Sequence, residues 1–285
     1  MFVHMKPRLL AAETVATGGS LTDVLPILRG LSLDNFGRAM LEMPNPSFPA
    51  LSRVLPAMAS EQVQRDWTGN AGLALLQQSL NFVRSVALQS ALLTGRPLQG
   101  RRLLDFGCGY GRLLRLMYYF SDPELIWGVD PWDRSIELCR EAGLPNRFAQ
   151  SDYLPTSLPV EDETFGLIYA FSVFTHTSER ATRQALATLR NYIEPDGMLV
   201  VTIRPHEYWD HAAPWVNRNL MREQHTSRGF AFTPHNREPI DGDITYGDTS
   251  MTFDWLVANA PGWRLAGYDH TLDDVNQIIV YLQPG

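Results

Sequence analysis

Apolar positions change their rhythm near residue 100. Upstream they recur at helical spacing between prolines: Leu76, Leu80, Val83, Ala87 and Ala91 define one stripe of a helix predicted over 72–94, stopped by Gly95 and Pro97. A Pro/Ser-rich break from Met43 to Pro49 interrupts this region, and no strand alternation is visible in it. Downstream, short apolar runs alternate with helical segments, the signature of parallel βα units. Strands are predicted at 103–106, 125–130, 147–150, 165–171 and 198–203. Helices are predicted at 113–120, 135–142 and 178–193, with Ser178 as N-cap of the last. Pro195-Asp196-Gly197 reads as a turn.

Residues 205–250 break the rhythm. They are polar, aromatic and irregular, too long for an ordinary connection, and so read as a functional insertion. A short helix near 253–260 follows, then strands at 263–270 and 277–282 whose brief connection makes them an antiparallel pair. The pattern predicts an α/β fold in which a helical cap, residues 1–100, precedes a sheet domain, residues 101–285.

Composition agrees with a globular chain: 45% of the 285 residues are hydrophobic and 19% charged. With a formal net charge of −7 and no long Lys/Arg run, nucleic acid and anionic membranes are disfavoured as partners, and a small molecule is expected. The pattern does not specify an oligomeric state. Two cysteines, Cys108 and Cys139, make no disulfide framework and have no zinc-ligand spacing. No apolar run approaches the roughly 18 residues of a membrane span, nor does the start carry a signal-peptide core, so a cytoplasmic setting is expected.

The most informative stretch is Asp105-Phe106-Gly107-Cys108-Gly109-Tyr110-Gly111-Arg112, where the first strand turns into its helix. Glycines there let the backbone turn sharply and approach a nucleotide-type ligand. A dinucleotide fingerprint would need glycine at 112, where Arg112 stands. Asp105 places a carboxylate in the loop mouth, which repels a pyrophosphate and attracts a cationic amine. Asp130 ends the second strand, at the distance from which a carboxylate receives ribose hydroxyls. Pro131 and Trp132 offer an apolar wall, and Asp152, beside Tyr153, is placed to accept from an adenine amine. Each has a structural rival: a ligand-free turn for the glycines, an N-cap for Asp130, a turn for Asp152, and core packing for the aromatics.

These blocks, followed by Phe165 to His176 and Glu194-Pro195-Asp196-Gly197, run in the order found in the class I S-adenosylmethionine-dependent methyltransferases, which the chain resembles over 100–285. The resemblance implies a Rossmann-like, seven-stranded, mostly parallel sheet whose last hairpin contributes one antiparallel strand. It also implies S-adenosylmethionine as cofactor. Asp105 would lie by the methionine amine, Asp130 at the ribose, Asp152 at the adenine amine, and Phe171 with Ser172 along the methionine moiety.

Methyl transfer from a sulfonium asks the protein chiefly for positioning and, for a weakly acidic acceptor, proton removal. His176, just past the fourth strand, and His206, in the insertion, are the candidate bases. Tyr208, Trp209 and Tyr246 are the candidate acceptor contacts. His206 and His211 lack the spacing of a helical zinc pair, and no metal is expected. The expected reaction is methylation of an O or N atom of a small metabolite or natural product. An NAD(P)-dependent oxidoreductase and a non-catalytic cofactor-binding protein are the alternatives. Phe171-Ser172-Val173-Phe174 replaces the Asn/Asp-Pro-Pro-Tyr/Phe run of enzymes that methylate base amines.

Overall fold

Short runs of buried residues form the central strands of this computed structural model, which describes residues 3–161 and 163–285. The strands are β1 (Leu103–Phe106), β2 (Ile126–Asp130), β3 (Arg147–Gln150), β4 (Phe165–Ala170), β5 (Ile193–Ile203), β6 (Phe230–Pro234), β7 (Gly247–Met251), β8 (Trp263–His270) and β9 (Ile278–Pro284). Seven of them form one sheet in the order β3-β2-β1-β4-β5-β9-β8, and β6 with β7 forms a separate hairpin sheet. β1–β2 and β4–β5 pair in parallel, whereas β9 runs antiparallel to both β5 and β8. This is the predicted doubly wound sheet with one reversed strand. All residues of β1, β2 and β4 are buried, as expected for parallel strands covered on both faces.

The chain divides into two compact units, residues 1–88 with 97–149 and residues 89–96 with 150–285. In the first, helices Lys6–Ala16, Leu21–Leu28, Leu33–Leu41, Leu51–Val54 and Glu61–Thr68 precede the helix Gly72–Thr94, which matches its predicted bounds. Leu76, Leu80 and Val83 of its stripe are buried, but Ala91 is exposed. Gly37 lets the 33–41 helix approach closely: a Cβ there would lie 3.0 Å from Leu80 and 3.2 Å from Leu76 and Leu116.

Three local expectations are corrected. The helix predicted at 113–120 is one α-turn, Leu114–Met117, flanked by turns. Helix Glu179–Leu189 is capped by the Ser178 hydroxyl, which accepts from the Ala181 amide at 3.2 Å, but it ends before Ile193 because that residue already pairs with Phe165 in β5. Pro195-Asp196-Gly197 therefore falls inside the bounds of β5, beside a register shift opposite Phe165 and Leu167.

The insertion at 205–250 is ordered rather than irregular. It holds a short helix, His206–Asp210, the helix Arg218–Arg228, and the β6/β7 hairpin, packed on a core of Trp209, Ala212, Val216, Met221 and Ala231. Backbone bonds strap β7 to the segment after β4: Gly247 N–H donates to His176 O (2.8 Å) and Thr249 N–H to Thr175 O (2.9 Å). Sequence periodicity missed this because pairing to residues some 70 positions away leaves no local signal.

Candidate functional site

In the first unit, β1 runs into a loop whose three glycines all take the left-handed region: Gly107 (φ 80°), Gly109 (φ 54°) and Gly111 (φ 75°). A side chain at Gly111 would be strained there and would also collide with Leu144 and lie 3.2 Å from Cys139 Sγ. The loop is tied to β2 through backbone groups. Gly107 N–H donates to Val129 O at 2.7 Å, and Gly109 N–H donates to Asp130 Oδ2 at 2.9 Å. The other Asp130 oxygen accepts from Trp132 N–H at 2.9 Å. Asp130 thus braces the loop and opens the following helix, Asp133–Glu141, the role that rivalled ribose binding. Burial pushes its carboxyl above its ordinary value, opposed by the Trp132 and Gly109 amides. The Ser135 hydroxyl is a third donor to this carboxylate. Asp105, in β1, is buried.

Trp132 is 44% exposed and stacks on Trp67, with ring centroids 4.9 Å apart, and Trp67 in turn meets Tyr110 edge-on. Pro131 precedes this wall, and Phe106 and Cys108 are buried at the loop's foot. Two residues that sequence reasoning left unassigned hold the loop. Arg115 is fully buried and donates to Gly111 O (3.1 Å), Ala57 O (2.8 Å) and Tyr110 O (3.4 Å). Arg112, which broke the dinucleotide fingerprint, donates to Gln78 Oε1 (3.0 Å) and Ser79 Oγ (2.8 Å).

In the second unit, Asp152 and Tyr153 follow β3, beside Ser151, whose buried hydroxyl makes no hydrogen bond among the described residues. Phe171 and Ser172 follow β4. Ser172 takes φ 60°, unusual for a residue with a side chain, and its N–H donates to Thr202 Oγ1 at 2.7 Å. Beyond them lies a charged cluster that ties β4, β5 and the insertion together. Arg204, just past β5, donates to Asp248 Oδ1 (2.7 Å), to Thr175 O (2.8 Å) and to His176 Nε2 (2.9 Å). Because a guanidinium only donates, His176 Nε2 must accept, and Nδ1 then donates to Gly247 O at 2.8 Å. Both ring nitrogens are committed. Burial, reinforced by the Arg204 charge, lowers its pKa to about 4, so the imidazole is neutral. Burial works against the Asp248 carboxylate, but Arg204 outweighs it and holds the carboxyl below its usual range.

The remaining predicted residues are distributed around this cluster. Tyr246 stacks on His176 with centroids 5.2 Å apart, and the Arg237 guanidinium lies over its other neighbourhood, 4.3 Å from the ring centroid. Tyr208 lies under the Arg204 guanidinium at 4.0 Å, and burial pushes its phenol up to about 12. Trp209 is 0% exposed and donates to Ser250 Oγ at 2.7 Å, so it forms the insertion's core and offers no surface to an acceptor. His206 is half-buried and meets His225 edge-on at 5.5 Å. Sequence reasoning gave no role to Arg204, and placed His235 and Asp248 only within a histidine- and aromatic-rich stretch suggestive of an acceptor pocket or lid. The only signal was the density of histidines and aromatics in 205–250. No group of three or more His, Cys, Asp or Glu among the described residues is arranged to hold a metal.

An acid-flanked glycine loop at the carboxyl end of β1 lies where open α/β sheets take their ligands. Residues 104–201 match the family model of a methyltransferase domain. The chain is 26% identical over 232 residues to the ubiquinone biosynthesis O-methyltransferase of Methylocella silvestris, covering 72% of this chain and 86% of that protein. It is 29% identical over 102 residues to an uncharacterized methyltransferase of Bacillus pumilus, covering 35% of this chain and 46%, under half, of that relative. A solved S-adenosylmethionine-dependent methyltransferase from Clostridium acetobutylicum aligns with a TM-score of 0.48 at 11% identity, over 70% of this chain and 89% of that one. Over residues 104–201 the chain is thus similar to methyltransferase domains.

Proposed function

We propose that this chain transfers a methyl group from S-adenosylmethionine to an O or N atom of a small metabolite or natural-product acceptor in a cytoplasmic setting. The observation that carries the reading is the glycine loop tied to Asp130 with Asp105 buried in β1, two acceptor carboxylates suited to a zwitterionic nucleoside rather than a pyrophosphate. When bound, the cofactor supplies a methyl group on a sulfonium that leaves as a neutral thioether. In the first unit, Asp105, Phe106, Gly107, Cys108, Gly109 and Gly111 are the candidate contacts for its amino-acid end, and Asp130, Pro131 and Trp132 those for the ribose and one face of the base. In the second unit, the candidates are Phe171 and Ser172 for the methionine moiety and Asp152 with Tyr153 for the adenine edge, beside the Ser151 hydroxyl, which makes no hydrogen bond among the described residues.

Residues 205–250 would form the acceptor side of the site, with Tyr208 and Tyr246 as contacts and residues 1–100 as a cap on the 101–285 domain. Two observations support this: the insertion is strapped to the carboxyl ends of β4 and β5, where ligands sit in open α/β sheets, and its charged cluster is fixed by short bonds. His176 acts as a positioning residue, since both its nitrogens are engaged. His206 stays a candidate base on its partial exposure. One relative, a tRNA U34 carboxymethyltransferase of Syntrophotalea carbinolica, is 35% identical over 37% of this chain and 32% of its own length, but the net charge of −7 favours a small acceptor over RNA. Incubation with isotopically labelled S-adenosylmethionine and a metabolite extract, read by mass spectrometry, tests the proposal. Labelled small-molecule products are expected. Label confined to added tRNA or protein would overturn the assigned acceptor class.

A further inference from the structure

We propose that Trp67 is a ligand-contacting residue of the glycine-loop site, and that the helix Glu61–Thr68, which carries it, is a lid over the nucleoside end of the cofactor. This deepens the cofactor reading and rests on it. Trp67, Gly109, Tyr110, Asp130 and Trp132 all lie in the first unit. The Trp67 ring is the layer next to the loop: a Cβ built on Gly109 would meet two of its ring carbons, at 3.7 and 3.8 Å. The same ring stacks on Trp132, with centroids 4.9 Å apart and planes 16° from parallel, and meets Tyr110 edge-on at 5.8 Å. Gly109 and Trp132 are also the residues whose amides donate to the two Asp130 oxygens, each at 2.9 Å. One indole therefore lies against both residues that flank the carboxylate proposed for the ribose. A nucleoside brought to Asp130 between them comes within reach of Trp67.

Core packing does not account for this placement. In the helix Glu61–Thr68 only Gln64 is buried, and Trp67 and Trp132 both stay partly exposed. Two stacked indoles left half in water are an apolar surface of the kind that marks a binding site. The helix is also mounted to move. It stops at Gly69, with φ 78°, and the next helix opens at Gly72, with φ 60°, so two left-handed glycines bracket a short linker. The Gln64 side chain fixes the pivot: its amide nitrogen donates to Ala59 O at 2.7 Å, and its oxygen accepts from Gly72 N–H at 2.9 Å. Both partners belong to the helix's own flanks. Toward the loop the helix reaches through the Trp67 ring, and ring contacts carry no fixed hydrogen-bond geometry, so they can be remade against a base or a sugar face. The adenosine end of the cofactor offers such a face, and its amino-acid end does not.

The test titrates the full chain by calorimetry with S-adenosylhomocysteine and with adenosine, which lacks the amino-acid end, in the parent, Trp67→Phe and Trp67→Ala. Trp67→Ala should bind both ligands about 10-fold more weakly, by the same factor for each, and Trp67→Phe, which keeps a ring on Trp132, should stay within about 3-fold of the parent. Limited trypsin digestion reads the lid without reference to affinity. Arg65 lies on the lid with its side chain 55% exposed, and saturating S-adenosylhomocysteine should slow cleavage after it in the parent but not in Trp67→Ala. Parent affinity in Trp67→Ala overturns the proposal, and so does tighter binding, which would make the ring a plug. A loss seen with S-adenosylhomocysteine and not with adenosine overturns it as well, as does a cleavage rate after Arg65 that the ligand leaves unchanged in the parent. Thermal unfolding checks that each variant folds, and should Trp67→Ala fail to fold, Trp67→Leu takes its place with the same expectations. A parent that binds neither ligand sinks the cofactor reading and the lid with it, whereas a binding parent with indifferent variants sinks the lid alone.

Discussion

The glycine loop after β1 and the charged cluster after β4 and β5 are built from different materials. In the loop the working groups are backbone: three left-handed glycines, and amides of Gly109 and Trp132 donated to one carboxylate. In the cluster they are side chains drawn from distant positions, with Arg204, Asp248 and His176 fixing one another at 2.7 to 2.9 Å. A backbone-built site tolerates change around it but not at its glycines, whereas a side-chain network fails when any one partner is removed. The difference predicts where each region breaks.

The largest effect belongs to the cluster. Arg204→Ala takes the guanidinium from Asp248, which keeps only His235, and from His176 Nε2, and unfolding in urea should show a loss of about 3–5 kcal/mol, the usual cost of breaking a buried pair. Retention of parent stability would mean that the cluster is decorative. Acid should reveal the same network. His176 and His225 are held neutral down to about 4, so the unfolded chain binds more protons than the folded one between its ordinary histidine value of 6.5 and about 4. Their contribution is present above 6.5 and is lost as pH falls through that window, amounting to a few kcal/mol together, and His176→Gln should flatten the slope in pH-dependent unfolding. Asp248, held below its ordinary value, adds a further loss only at lower pH.

The loop should respond through binding rather than folding. Asp130→Asn keeps the size but sets a side-chain NH2 against either the Gly109 or the Trp132 N–H, so one brace of the loop is lost, and calorimetry should show S-adenosylhomocysteine bound roughly 10- to 100-fold more weakly. The smallest effect is expected at Trp209→Phe, which removes the bond to Ser250: a stability loss of about 1–2 kcal/mol with unchanged cofactor affinity. A change in cofactor affinity there would break the separation between the two regions.

The same contrast explains what the chain discloses in advance. Glycines that need positive φ, acids ending β1 and β2, and fully apolar strands are local signals, so the sheet, its reversed strand and the cofactor loop are readable from spacing. Arg204 meets Asp248 across 44 positions and His176 meets Gly247 across 71, and nothing local marks such pairs. His176 and Trp209 were legible as chemistry-bearing types, but only packing shows that one has no free nitrogen and the other no free surface.

Calorimetric titration of the parent chain with S-adenosylhomocysteine, with NADH as the parallel ligand, tests the cofactor claim most directly. The account predicts one S-adenosylhomocysteine per chain, displaced by S-adenosylmethionine, and no heat from NADH. Saturable binding of NADH with none of S-adenosylhomocysteine would contradict it.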